Sequence, residues 1–157
     1  MPLYQLKYSI SEAQFIEAFE AHWKSKNLSS KSNLILGVGA ISLGAVLYFL
    51  TNFGGILLAT IGTILILMVV LRLFLHRRAY RDNTKYKGEI EVIFTEEHIE
   101  VKSTEGESKL NWSLFQKHLI TQNFILLYIS QNTFSIIPKP ALDEDLESFL
   151  ELIENKI

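Results

Sequence analysis

Hydrophobic and polar positions along the chain follow three different patterns. The middle has no charged pattern at all: residues 32–71, forty in a row, contain no Asp, Glu, Lys, Arg or His. A hydrocarbon layer about 30 Å thick takes about 20 apolar residues in helix, so this stretch is two such lengths. Leu34 to Leu50 is apolar except for Ser42, and Ile56 to Leu75 is apolar except for Thr60, Thr63 and Arg72. Between them Thr51-Asn52-Phe53-Gly54-Gly55 carries an Asn and a Gly pair, a tight-connection signal. The pattern predicts a transmembrane helical hairpin with helices over 34–50 and 56–75 and a turn over 51–55. The Thr hydroxyls can bond back to the preceding turn, so lipid tolerates them. A buried hairpin in a soluble protein is the first alternative, but the rest of the 157 residues is too little chain to cover two wholly apolar helices. A re-entrant hairpin on one leaflet is the second. A signal peptide is not expected, because the apolar run begins at residue 34 behind a charged amphipathic segment and is too long for an h-region.

The flanks repeat at other periods. Tyr4 to Ile10 alternates apolar and polar, a strand signature. Ser11-Glu12-Ala13-Gln14 matches a capping box and predicts a helix start. Phe15, Phe19 and Trp23 then recur every four residues beside Ile16. This helix suits either the membrane interface, with Trp23 at headgroup depth, or the surface of a soluble domain. Asn27 to Asn33 reads as a polar connection. His76 to Lys87 reads as a basic helical extension of the second span. Short strands are predicted over 88–94, 98–103, 108–112, 115–121, 124–130 and 133–137, with turns at Thr95-Glu96-Glu97, Glu105-Gly106-Glu107, Gln122-Asn123 and Gln131-Asn132. The last helix, 142–156, carries Leu142, Leu146, Phe149, Leu150 and Ile153 on one stripe behind acidic Asp143, Glu144 and Asp145. The fold class is therefore membrane α+β. A transmembrane helical hairpin joins a small antiparallel β-sheet or half-barrel of five or six strands, capped by a C-terminal amphipathic helix. The N-terminal strand is a candidate addition to the sheet. The domains are 1–33, 34–75, a basic connector 76–87, and a β-rich domain 88–157.

Small residues recur at three- or four-residue spacing, as Gly37, Ala40 and Gly44 in the first helix and Gly55, Ala59 and Thr63 in the second. Such positions let helices approach closely in lipid. They pack the hairpin on itself or offer a face to another membrane protein. Lys24, Lys26 and Lys31 precede the first helix, and Arg72, Arg77, Arg78, Arg81, Lys85 and Lys87 follow the second, while the turn between has none. By the positive-inside rule both termini are expected in the cytoplasm. The six residues after the second helix are the expected contacts to anionic headgroups, with Arg72 near enough to the interface to snorkel. Residues 72–88 hold six Lys and Arg against Asp82, a net of +5, whereas residues 89–157 hold five against thirteen Asp and Glu, a net of −8. The collar attracts a membrane surface that the acidic domain avoids.

At Trp112, at Phe124-Ile125-Leu126-Leu127-Tyr128, and at Ile136-Ile137-Pro138-Lys139, the chain resembles the YcxB-like family of small bacterial membrane proteins. The resemblance implies an N-terminal arm, two membrane helices and a β-rich cytoplasmic domain with a final helix, in the bacterial cytoplasmic (inner) membrane. The strand ending in Pro-Lys is its most specific part. The family usually continues with Arg, where this chain has Pro140. In layout the β-rich domain is also similar to bacterial pleckstrin-homology-like domains. The family brings no established activity, so the resemblance bears on architecture and location.

No catalytic chemistry is legible. With no Cys there are no disulfides, thiolate metal sites or Cys nucleophiles. No phosphate loop, HExxH or nucleophile elbow occurs. His22, His76, His98 and His118 lack ligand spacing. Glu96-Glu97 and Asp143-Glu144-Asp145 suit turn and helix-cap duty better than acid–base work. A net charge of −2 gives no reason to expect nucleic acid. The expectation is a non-enzymatic membrane accessory or adaptor protein without cofactor. Its partners would be membrane lipid and a larger membrane protein or further copies of itself. A lipid- or peptide-sensing signalling module, an immunity protein against a membrane toxin and, last, an enzyme are the alternatives.

Overall fold

The computed structural model describes residues 2–26, 29–51, 54–86, 88–142 and 145–157. Residues 1–18 with 80–157 form one compact unit, and residues 19–79 form another.

The first unit is β-rich. Its larger sheet is antiparallel, in the order β1 (Pro2–Tyr8), β2 (Ile90–Thr95), β3 (His98–Ser103) and β4 (Gly106–Asn111). The N-terminal strand does join the sheet, with Leu6 opposite Val92 and Tyr8 opposite Ile90. Alternation decides the faces: Ile90, Val92 and Phe94 are buried, as are Ile99 and Val101 on β3. Glu91 points outward and accepts from Gln5 Nε2 at 2.6 Å. β4 is almost wholly exposed, and Glu107 and Lys109 charge this outer edge against pairing with another chain. The β3–β4 turn is Thr104-Glu105. Gly106 opens β4 with φ 129°, a backbone position that favours glycine.

A second sheet of three antiparallel strands follows: β5 (Lys117–Ile120), β6 (Phe124–Tyr128) and β7 (Phe134–Pro138). The strands thus form two sheets, not the single curved sheet expected from their spacing. The break lies after β4. Trp112–Leu114 coil into a single 3₁₀ turn, and the Trp112 Nε1–H donates to the Thr95 carbonyl at 2.9 Å. A turn there cannot carry an extended ladder from β4 into β5. β6 is central in its sheet, and all five of its residues are buried. A strand covered on both faces has no reason to alternate, which accounts for its unbroken apolar run.

The C-terminal helix α4 (Leu146–Lys156) closes the unit. It starts later than the apolar stripe predicts. Pro138 ends β7, Lys139–Ala141 forms a 3₁₀ turn, and Leu142 is buried beyond it. Asp143 and Glu144, expected at the helix start, lie outside the described residues. Phe149 and Ile153 are fully buried. The Phe149 ring meets Phe94 edge-on at 4.9 Å and Tyr4 at 5.2 Å, tying the helix to β1 and β2.

The N-terminal helix α1 (Glu12–Ser25) begins where the capping box places it. Ser11 N–H donates to Gln14 Oε1 at 3.0 Å, and Gln14 N–H donates back to Ser11 Oγ at 3.3 Å. Its residues to Ala18 belong to the β-rich unit. Phe15 packs on Tyr80 and Tyr86 at 5.5 and 5.1 Å, and Glu17 accepts from Asn123 Nδ2 at 2.6 Å. Its residues from Phe19 belong to the other unit, so the choice between soluble-domain surface and membrane interface does not apply to the helix as a whole.

The second unit is built on two long helices, α2 (Ser30–Thr51) and α3 (Gly54–Asp82). α2 starts inside the stretch expected as a polar connection, because Glu20 accepts from both the N–H (3.3 Å) and the hydroxyl of Ser30. Gly54 and Gly55 are helical, not part of the turn, while Asn52 and Phe53 lie outside the described residues. Ser42, Thr60 and Thr63 return their hydroxyls to the carbonyls of Val38, Ile56 and Ala59 at 2.8–2.9 Å. Both helices are long and apolar enough to cross a membrane, and only 11% of the residues in the most apolar window of each are buried. Of the exposed large apolar side chains among the described residues, all but Leu3, Leu114 and Ile120 lie between Leu34 and Leu75.

Candidate functional site

The features with functional promise are the glycine contact between α2 and α3, the basic residues at the end of α3, and the Trp112 and Pro138-Lys139 positions. The glycine contact follows from backbone geometry. A methyl group added to Gly37 would lie 3.0 Å from the Gly62 carbonyl oxygen, and one added to Gly44 would lie 2.7 Å from the Gly55 carbonyl oxygen. Added at Gly55, it would overlap the Gly44 carbonyl oxygen. Gly37 therefore faces Gly62 and Gly44 faces Gly55, two antiparallel glycine pairs that bring the backbones together. Ala59 joins the Gly44 contact, with its amide nitrogen 2.8 Å and its methyl 3.1 Å from that added group. Ala40 is half-buried and Thr63 is exposed. Gly62 stands outside the four-residue series Gly55, Ala59 and Thr63, which passes one residue beyond it. The contact instead repeats every seven residues in both helices, which keeps one seam facing a neighbouring helix.

The basic residues do not make one cluster. The Arg72 guanidinium carbon lies 4.7 Å from the centre of the Trp23 ring, and Lys26 Nζ lies 5.8 Å from the same ring. Arg77, Arg78 and Arg81 are exposed on the last turns of α3. Lys85 is half-buried in the β-rich unit, 5.8 Å from the Tyr86 ring. Lys87 lies outside the described residues.

Lys85, Tyr86 and Tyr8 are among the residues that line a cavity of about 20 Å³ in the β-rich unit. The Tyr8 hydroxyl donates to the Ile136 carbonyl at 3.0 Å. Burial pushes the Tyr8 phenol well above its ordinary range, with Tyr86 adding to the effect. Burial, with Glu105 second, pushes Tyr86 the same way, and burial pulls Lys85 down against the attraction of Glu105. For both tyrosines the folded value exceeds the unfolded value of about 10, so their contribution to stability is whole below pH 10 and declines as pH rises through the folded values. An alkaline titration followed by phenolate absorbance, compared with Tyr8→Phe and Tyr86→Phe, should show these two tyrosines ionising as β circular dichroism is lost. All six ionising together with the sheets intact would contradict the burial.

Trp112 packs between Phe94 and Phe115, at 6.0 and 6.5 Å. Pro138 pairs with Phe124 across the second sheet, and the Lys139 N–H donates to the Asn123 carbonyl at 2.9 Å. Trp112 thus ties the turn after β4 to β2, while Pro138 and Lys139 tie the end of β7 and the turn after it to Phe124 and Asn123. Among the described residues no three His, Asp or Glu side chains are grouped to hold a metal.

Residues 94–153 match the family model described as YcxB-like protein. The match runs from the end of β2 into α4 and includes Trp112, Pro138 and Lys139. The chain thus carries a YcxB-like segment behind two long apolar helices. No curated protein and no solved structure matches it.

Proposed function

We propose that the chain is a small integral membrane accessory or adaptor protein, non-enzymatic. It holds its β-rich, pleckstrin-like unit at the cytoplasmic face of a bacterial inner membrane for a larger membrane protein or for further copies of itself. The observation that carries this reading is the outward display of large apolar side chains along both long helices, such as Phe49 at 85% and Ile35 at 72% exposed. Water disfavours such a surface by about 25 cal/mol per Å², and lipid or another apolar helix removes the penalty. The glycine pairs are already engaged between α2 and α3, so the face left for a partner is made of these larger side chains. The Lys and Arg content on either side of the hairpin supports cytoplasmic termini. The net −8 of residues 89–157 supports a domain that turns to proteins rather than to the anionic surface or to nucleic acid.

The test is made on native membranes. The full chain is expected to stay with vesicles through a carbonate wash, and then to migrate in gentle detergent as a defined assembly larger than one copy. Release by carbonate would remove the membrane reading. Retention followed by migration as a single copy would remove the adaptor reading alone.

A further inference from the structure

We propose that Trp23, Arg72 and His76 form a binding site for the phosphate of an anionic phospholipid. Trp23 comes from the second half of α1, and the other two lie one turn apart on α3. They line an open pocket of about 320 Å³ whose remaining wall is Met68, Leu71 and Leu75. Its lining thus joins polar and cationic groups to aliphatic ones, the two chemistries that a lipid presents at its headgroup.

Among the described residues, one polar atom of Trp23 and one of His76 have no hydrogen-bond partner. Trp23 Nε1 and His76 Nδ1 are both buried and unpaired, and His76 is only 9% exposed. Buried ring nitrogens without partners are uncommon and costly. The indole N–H can only donate, and an imidazole nitrogen can donate in the matching tautomer. Both therefore suit an oxygen-rich acceptor. Arg72 adds a planar, permanently charged guanidinium, the side chain best matched to phosphate oxygens. Its position over the indole face and the Phe19 ring 4.8 Å from the His76 ring hold the two pocket groups in orientation. The carboxylate on the same stretch of α1, Glu20, is engaged by the Ser30 N–H and hydroxyl.

Depth argues for lipid as the source of the phosphate. At 1.5 Å per residue Arg72 lies about 26 Å, and His76 about 32 Å, along α3 from Gly55. These values bracket a hydrocarbon layer of about 30 Å. The site rests on the membrane reading above and adds to it a particular lipid contact in place of a diffuse basic collar.

The test uses the full chain in uncharged detergent, titrated separately with phosphatidylglycerol, phosphatidylcholine and inorganic phosphate. Only two tryptophans are present, so Trp112→Phe leaves Trp23 as the sole reporter of indole emission. The His76 imidazole resonance of the unsubstituted chain gives the same reading without that change. Phosphatidylglycerol is expected to give a saturable response, with phosphatidylcholine about tenfold weaker because its choline meets Arg72, and inorganic phosphate giving none. Arg72→Gln and Arg72→Lys should each weaken phosphatidylglycerol about tenfold, since lysine keeps the charge and loses the fork. Arg78→Gln should change it less than about twofold. Equal responses to the two lipids, or equal losses from Arg72→Lys and Arg78→Gln, would replace the site with a diffuse attraction. Saturation by inorganic phosphate alone would make the source a soluble anion. In each case retention through a carbonate wash would leave the membrane reading standing.

Discussion

Phe94→Ala is expected to destabilise the β-rich unit by about 3–5 kcal/mol, a large share of the roughly 5–15 kcal/mol that holds a typical domain together. Phe94 is fully buried and touches three elements: α4 through Phe149, the turn after β4 through Trp112, and β2 on which it lies. Removing its ring leaves a cavity whose walls are already fixed from several sides. Phe149 loses an edge-on partner and keeps Tyr4. Denaturant unfolding followed by aromatic circular dichroism measures the loss. A change below about 1 kcal/mol would mean that the site collapses freely and that α4 is not anchored by this ring.

Gly55→Leu is the second large effect. Even its first side-chain carbon would overlap the Gly44 carbonyl oxygen, with Tyr48 close behind, and backbone cannot turn aside as a side chain can. The helices must separate, at a cost at or above the upper end of about 1–3 kcal/mol for overpacking. Thermal loss of helical circular dichroism in mild detergent should shift well below that of the parent chain. Gly39→Leu is the control, because nothing lies within 4 Å of an added carbon there. It should stay within about 0.5 kcal/mol of the parent. Equal losses at the two positions would mean that the contact does not set the cost, since leucine is the better helix former at both. The seven-residue step predicts in addition that Gly62→Leu resembles Gly55→Leu, since Gly62 meets the Gly37 carbonyl as Gly55 meets that of Gly44.

The candidate sites divide by how far apart their parts lie along the chain. Each helix's side of the glycine contact is periodic within that helix, so most of the contact is legible, and Gly62 alone lies off the four-residue series of its helix. The cluster of Trp23, Arg72 and His76 was not legible as a cluster. Sequence alone points to an interfacial Arg72 and, on one of two readings of α1, to Trp23 at headgroup depth, but nothing local relates residues so distant in sequence. The same holds for Tyr8 and Lys85, which line one cavity although 76 residues separate them along the chain.

By itself the sequence determined the elements: two long apolar helices, short alternating strands, a capping box at Ser11 and an amphipathic last helix. These rest on side-chain periodicity and on local hydrogen bonds, interactions that span only a few residues. Only the tertiary structure decided that the strands divide into two sheets, that β1 pairs with β2 across more than eighty intervening residues, and that α1 divides between two units. Each of those outcomes depends on which distant surfaces bury one another. Many arrangements bury similar areas of the same apolar faces, and packing shape, such as Trp112 turning inward after β4, selects among them.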